Sequence, residues 1–128
     1  MEQNRMTNRR GFIQMGTAFG LTAMSYGNVL GANERIQVGV IGCGGRGRHH
    51  VRWLHKTSET EPVSVTAVCD IWDLQRERAK NEVQKRFEKN PALYKSYQDL
   101  LSNREIDAVT IATPDHQHCG MLMDAVKA

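Results

Sequence analysis

The stretch Ile36-Gln37-Val38-Gly39-Val40-Ile41-Gly42-Cys43-Gly44-Gly45-Arg46-Gly47 decides the fold of this chain. It reads as a short buried strand that runs into a glycine turn and then into a helix. Gly42, Gly44 and Gly47 occupy the three glycine positions of G-x-G-x-x-G, the dinucleotide-binding fingerprint. Gly42 permits the tight turn off the strand, and Gly44 lets backbone approach a pyrophosphate with no Cβ in the way. Gly47 lets the helix pack closely on the sheet. The helix N-terminus then offers free N–H groups and the positive end of its dipole to phosphates.

Glycine-rich turns are common, so the context around this one matters. A second apolar run, Val63-Ser64-Val65-Thr66-Ala67-Val68-Cys69, ends in Asp70, 23 positions after Gly47. An acid at about that spacing, closing the second strand, is where a ribose 2′-OH finds its acceptor. The competing reading of Asp70 is an acid that caps the following loop. A carboxylate here disfavours a 2′-phosphate, so NAD is expected over NADP. Ile71 and Trp72 add no cation beside it, while Arg46 and Arg76 are the basic residues within reach.

The 128 residues suffice for one small domain with a core and not for two. Hydrophobic content of 40% and charged content of 24% are ordinary for a soluble globular protein. Of the formal net charge of +3, Arg5, Arg9 and Arg10 against Glu2 carry two units. No basic face is left to argue for nucleic acid. The three cysteines, Cys43, Cys69 and Cys119, form no closed disulfide framework and lack C-x-x-C spacing. With His49, His50, His116 and His118 they match no zinc pattern, and no metal is expected. Cys43 is read as a small residue that the phosphate loop tolerates.

Residues 1–32 read as a targeting segment. Asn8-Arg9-Arg10-Gly11-Phe12-Ile13-Gln14 resembles the twin-arginine export signal of bacteria, with Asn8, Ile13 and Gln14 departing from the usual pattern. The apolar stretch from Gly11 to Met24 is diluted by Gly16, Thr17, Gly20 and Thr22, which makes it too short and too polar to span a bilayer. The expectation is export in the folded state to the periplasm or another extracytoplasmic space, with the twin-arginine translocase as a partner. A route that carries folded proteins suits a domain that loads its cofactor beforehand.

From residue 33 onward the chain alternates strands and helices, which predicts an α/β, Rossmann-type, doubly wound parallel sheet, incomplete at about four strands. Gly47, Val51 and Leu54 form the buried stripe of the first helix, with Arg48, Arg52 and Lys56 facing solvent. Asp73 is placed to cap a second helix with the stripe Ala79, Val83 and Phe87, supported by the Glu82–Arg86 pair and ended by Asn90-Pro91. A third strand is expected over 94–97, a short helix over 98–103 and a fourth strand over 108–112. A last helix follows, with Met121, Leu122, Ala125 and Val126 as its stripe.

The strand-turn-helix of 38–47, then Ala67-Val68-Cys69-Asp70, then Asp107-Ala108-Val109-Thr110-Ile111-Ala112-Thr113-Pro114-Asp115-His116-Gln117-His118, resembles the Gfo/Idh/MocA oxidoreductase family. The Thr-Pro-Asp-x-x-His segment at 113–118 is the most specific of the three. The leader joined to Val29-Leu30-Gly31-Ala32-Asn33 looks like the exported branch of that family. The resemblance covers the first part of the family's cofactor domain. It implies a cofactor-binding set of Gly42, Cys43, Gly44, Gly45, Arg46, Gly47, Asp70, Ile71, Thr113, Pro114 and His118. Thr113 and Pro114 line the nicotinamide side in the family, although a plain strand-to-helix turn with Asp115 as helix cap fits the same residues. The family's Glu-Lys-Pro lysine and its substrate domain would lie beyond Ala128, so no catalytic residue is assigned and the chain alone is expected to be an inactive fragment.

The resemblance implies an NAD-dependent oxidoreductase acting on a sugar or polyol, homo-oligomeric when full-length. Alternatives are an NAD-dependent glycosidase of the same family, or a nucleotide-binding fragment without catalysis. The export reading has a direct check. Residues 1–34 fused to a reporter active only after folded export should deliver it, and the charge-keeping pair Arg9→Lys with Arg10→Lys should abolish delivery. Equal export by the pair would contradict the twin-arginine reading.

Overall fold

A computed structural model describes residues 34–128. The leader expected over residues 1–32 lies outside the described residues. The order of elements is β1 (Ile36–Ile41), α1 (Gly45–Thr57), β2 (Val63–Cys69), α2 (Asp73–Phe87), β3 (Ala92–Tyr94), α3 (Tyr97–Leu101), β4 (Ala108–Ile111) and α4 (Asp115–Lys127). The four strands form one sheet in the order β3-β2-β1-β4, and every pairing is parallel. This is the expected Rossmann-type arrangement. The chain winds outward from β1 to β3, then crosses back to place β4 on the other side of β1, which makes the β1/β4 boundary the switch point of the sheet.

The strands are apolar nearly throughout, as a sheet covered on both faces requires. On one face Val38, Val40, Val63, Val65 and Val68 pack against Val51 and Leu54 of α1 and Ala79 and Val83 of α2, with Phe87 at the margin. The expected stripes of α1 and α2 are therefore the observed ones. On the other face Ile41, Ala67 and Cys69 meet Leu100, joined by the partly buried Tyr94, Tyr97, Ile111 and Met121. The pairing of β1 with β2 shifts between Val38 and Gly39, where Val38 faces Val65 and Gly39 faces Ala67, so Thr66 is the extra residue of a bulge. Beside that bulge Gly39 leaves a flat spot that Leu100 fills: a Cβ on Gly39 would stand 2.9 Å from Leu100 Cδ2.

Arg86 donates to Glu82 at 2.7 Å, and Arg52 crosses from α1 to the same carboxylate at 3.6 Å. Burial draws that carboxyl upward, but the hydrogen bond and charge of Arg86, with Arg52, outweigh it and hold Glu82 below the usual carboxylate range. Arg52 is thus a tie between helices rather than a purely solvent-facing charge, and Arg48 is only partly exposed.

Several local expectations are corrected. β3 covers 92–94 rather than 94–97, and α3 begins at Tyr97. Its partner β2 ends at Cys69, opposite Tyr94, and the ladder closes with Asp70 N–H donating to the Tyr94 carbonyl. Helix α2 stops at Phe87 rather than at Asn90-Pro91, because Glu88 takes a left-handed conformation (φ 53°) while its N–H closes on the Gln84 carbonyl. Asp73 and Asp115 begin their helices without capping them; Trp72 and Pro114 hold the cap positions. Along α4 the expected stripe is mostly uncovered, with Leu122 56% and Val126 77% exposed. That helix packs chiefly on β4, a four-residue strand paired on one side only among the described residues, so little surface is available to cover it.

Leu100 is fully buried and is the large aliphatic plug of the second face. Leu100→Ala should cost about 2–5 kcal/mol of unfolding free energy, read from urea melts of the chain. A loss below about 0.5 kcal/mol, the range of ordinary surface changes, would show that this face is not packed as described.

Candidate functional site

The carboxyl ends of β1, β2 and β4 open onto a crevice of about 560 Å³ at the switch point. Of the expected cofactor residues, Gly42, Gly44, Asp70, Ile71, Thr113 and Pro114 line it. Cys43, Gly45, Arg46, Gly47 and His118 do not; they surround or support it.

The glycines divide the work. Gly42 has φ +89°, a conformation side chains rarely adopt. A Cβ there would stand 2.7 Å from the carbonyl carbon and oxygen of Ala112, so the turn lies directly against the end of β4. A Cβ on Gly47 would overlap the Gly42 carbonyl oxygen, which is how α1 comes down onto the turn. Gly44, the N-cap of α1, lies on the crevice wall, and a Cβ there would meet no protein atom within 4 Å. Gly45 faces open space too and is outside the positive-φ set. The backbone at Gly44 is thus presented bare to the crevice at the positive end of a 13-residue helix.

Of the two roles suggested for Asp70, the loop-capping one is seen directly, and a second backbone contact accompanies it. Its Oδ1 accepts from the Trp72 N–H at 2.8 Å, an Asx-type turn that leads into α2. Its Oδ2 accepts from the Cys43 N–H at 2.7 Å, which ties the end of β2 to the glycine loop. Each oxygen keeps a further acceptor position, and the residue lies on the crevice wall. Arg76 is committed elsewhere: Nη1 donates to the Asp70 carbonyl at 2.7 Å, and Nη2 pairs with Asp73 at 2.5 Å.

Cys43 is fully buried beneath the loop, with its thiol directed at the Cys69 carbonyl at 3.3 Å. Burial, helped by the nearby Asp70 charge, pushes the Cys43 thiol up to about 12 and the Cys69 thiol up to about 11. Both stay protonated across the physiological range and act as small packing residues. Cys119 is exposed on α4. His118 turns back from α4 and places Nε2 2.6 Å from the Thr113 carbonyl oxygen, so it fastens the corner where β4 opens onto the crevice. Thr113 Oγ1 also reaches Met121 Sδ at 3.3 Å.

Sequence reading missed Trp72, Gln75, Lys95, Tyr97, Gln117 and Met121 on the crevice wall. For Lys95 a signal existed in principle, since the residue after a parallel strand's last pair opens onto the carboxyl edge; it needed the true end of β3. Gln117 and Met121 required the rotation of α4, which its uncovered stripe does not specify.

Comparison with known proteins agrees with this geometry. A family model described as an oxidoreductase family with an NAD-binding Rossmann fold matches residues 36–128. The chain is 33% identical over 106 residues to glycosyl hydrolase family 109 protein 2 of Shewanella sp. (strain ANA-3), covering 80% of this chain and 23% of that protein. It is 34% identical over 99 residues to an alpha-N-acetylgalactosaminidase of Shewanella oneidensis, covering 74% and 21%. Among solved structures, myo-inositol dehydrogenase from Lactobacillus casei, in complex with NAD(H) and myo-inositol, superposes with a TM-score of 0.63 at 30% identity, covering 73% and 26%. The chain therefore spans about a quarter of the length of such relatives.

The three turn glycines should separate in a mutational test. Gly42→Ala should destabilise the fold by about 1–3 kcal/mol, since it is strained in conformation as well as crowded. Gly45→Ala should be neutral within about 0.5 kcal/mol. Gly44→Val should melt like the parent yet lose nucleotide affinity, because it adds a side chain at the crevice wall without a clash inside the protein. Thermal melts paired with NAD titration calorimetry give both readouts; equal effects at Gly44 and Gly45 would contradict the assignment.

Proposed function

Because the chain belongs to the Gfo/Idh/MocA oxidoreductase family and carries its NAD-binding Rossmann fold, we propose that the crevice at the β1/β4 switch point holds NAD for an oxidoreductase acting on a sugar or polyol. The observation that carries this reading is the pairing of a bare Gly44 backbone at a helix N-terminus with Asp70 on the same wall. The first suits a pyrophosphate and the second a ribose diol. The exposed apolar side chains of Ile71 and Trp72 beside Asp70 offer a flat lip for the adenine. Thr113 and Pro114, held by His118, shape the opposite end, where the nicotinamide is expected.

The cofactor supplies the hydride chemistry. The residues of this chain bind it, orient it and keep the phosphate loop closed against β4. The polyol class is supported by the inositol dehydrogenase likeness. A second reading, a glycosidase in which oxidation is transient and the cofactor is regenerated, is supported by the two Shewanella relatives. Export through the twin-arginine route is likewise proposed for the leader, on the strength of Arg9 and Arg10 and the mild hydrophobicity that follows them.

The two readings differ in the fate of the cofactor. With the full protein, the oxidoreductase reading expects stoichiometric NADH from a polyol such as myo-inositol. The glycosidase reading expects sugar release from an N-acetylgalactosaminide with no net NADH. For the site itself, Asp70→Ser should weaken NAD binding by about tenfold or more, the equivalent of a lost charged hydrogen bond. Unchanged affinity in a folded variant would overturn the assignment of Asp70 to the ribose.

A further inference from the structure

Among the described residues, the crevice wall carries one anionic side chain, Asp70, and one ammonium or guanidinium, Lys95. The two arginines that the sequence put in reach do not fill this place. Arg76 spends one terminal nitrogen on the Asp70 carbonyl and the other on Asp73. Arg46 is exposed on the first turn of α1 and is absent from the wall.

Lys95 follows directly on Tyr94, the last residue of β3, which pairs with Cys69, the last residue of β2. Asp70 follows directly on Cys69, and its N–H donates to the Tyr94 carbonyl at 3.2 Å. Lys95 and Asp70 therefore leave neighbouring parallel strands at the same level, about 4.8 Å apart in the sheet. The lysine side chain is exposed and takes part in no ion pair or hydrogen bond among the described residues.

We infer that Lys95 is the specificity-setting cation of the adenosine end, facing the 2′ position of the ribose that Asp70 binds. This rests on the proposed nucleotide site and adds a determinant to it. Asp70 alone would make the site reject a 2′-phosphate outright, because the phosphate removes the donor that the carboxylate needs and sets like charges together. An ammonium on the adjacent strand offsets part of that repulsion. The chain then discriminates by degree, preferring NAD and still accepting NADP. A lysine serves here as a mobile point charge, which pairs with a phosphate when one is present and remains solvated when it is not.

The test is calorimetric titration of the full protein with NAD and with NADP at fixed low salt, for the parent, Lys95→Ala, Lys95→Arg and Arg46→Ala. Lys95→Ala should lower NADP affinity on the order of tenfold, as loss of one charge-assisted phosphate contact would. NAD affinity should stay within about threefold, since no contact to its ribose is removed. Lys95→Arg should restore NADP binding, and Arg46→Ala should leave the ratio of the two affinities unchanged. The inference is overturned if the parent binds NADP no better than Lys95→Ala. Equal weakening of both dinucleotides would also overturn it, because Lys95 would then be a general attractor of phosphate. A parent that binds NAD but fails either comparison leaves the nucleotide site standing without this determinant. A folded parent that binds neither dinucleotide overturns the site itself, and the role of Lys95 with it.

Discussion

The site depends on one carboxylate. Asp70 holds the Cys43 N–H with one oxygen and the Trp72 N–H with the other. The glycine loop after β1 and the approach to α2 after β2 are thereby fixed to a single point at the end of β2. Without that bridge the Cys43 N–H would be a buried donor with no partner, costing about 1–3 kcal/mol. Two further bonds complete the frame: Gly42 N–H to the Cys69 carbonyl at 2.8 Å, and Ala112 N–H to the Ile41 carbonyl at 2.7 Å. The loop is thus laced to β2 on one side and lies against β4 on the other. These bonds restrain the loop, and restraint of this kind lowers the ordering cost of binding.

The same frame explains why the glycines differ in necessity. Gly42 and Gly47 are demanded by the protein's own packing, since side chains there would strike the Ala112 backbone and the Gly42 carbonyl. A Cβ on Gly44 would meet no protein atom, so the protein's own packing does not demand glycine there. Of the three fingerprint glycines, two are therefore required by the fold, and the third is not. The carboxylate is structural through its contacts with backbone, and those contacts leave acceptor positions open on both oxygens.

The sheet and its parallel sense were legible because the relevant signals are local and redundant. β-branched runs mark β1, β2 and β4, the fingerprint fixes the first turn, and the α1 and α2 stripes point at a face that exists. Reading failed where the outcome depends on a neighbour. The end of β3 is set by where β2 stops, which no residue within 92–97 encodes. Helix α4 has a well-marked apolar stripe, yet the described sheet offers it only β4 to pack on, so Leu122 and Val126 stay exposed. The site divided in the same way. The fingerprint glycines and Asp70 were legible from spacing, whereas Gln75 reaches the crevice through tertiary placement and Lys95 could be read only with the true end of β3. Arg76 shows the converse, since it was within reach by sequence and is occupied by Asp73 and the Asp70 carbonyl in the fold.

Amide hydrogen exchange, resolved by residue, tests the central claim that Asp70 fastens the phosphate loop before any nucleotide binds. In the nucleotide-free protein the Cys43 and Trp72 amides should exchange slowly although both lie in non-strand, non-helical backbone. Asp70→Ala should release both while Val40 and Val68, inside the sheet, remain protected. A Cys43 amide that exchanges as fast as a solvated loop in the parent, or is equally slow in Asp70→Ala, would contradict the account.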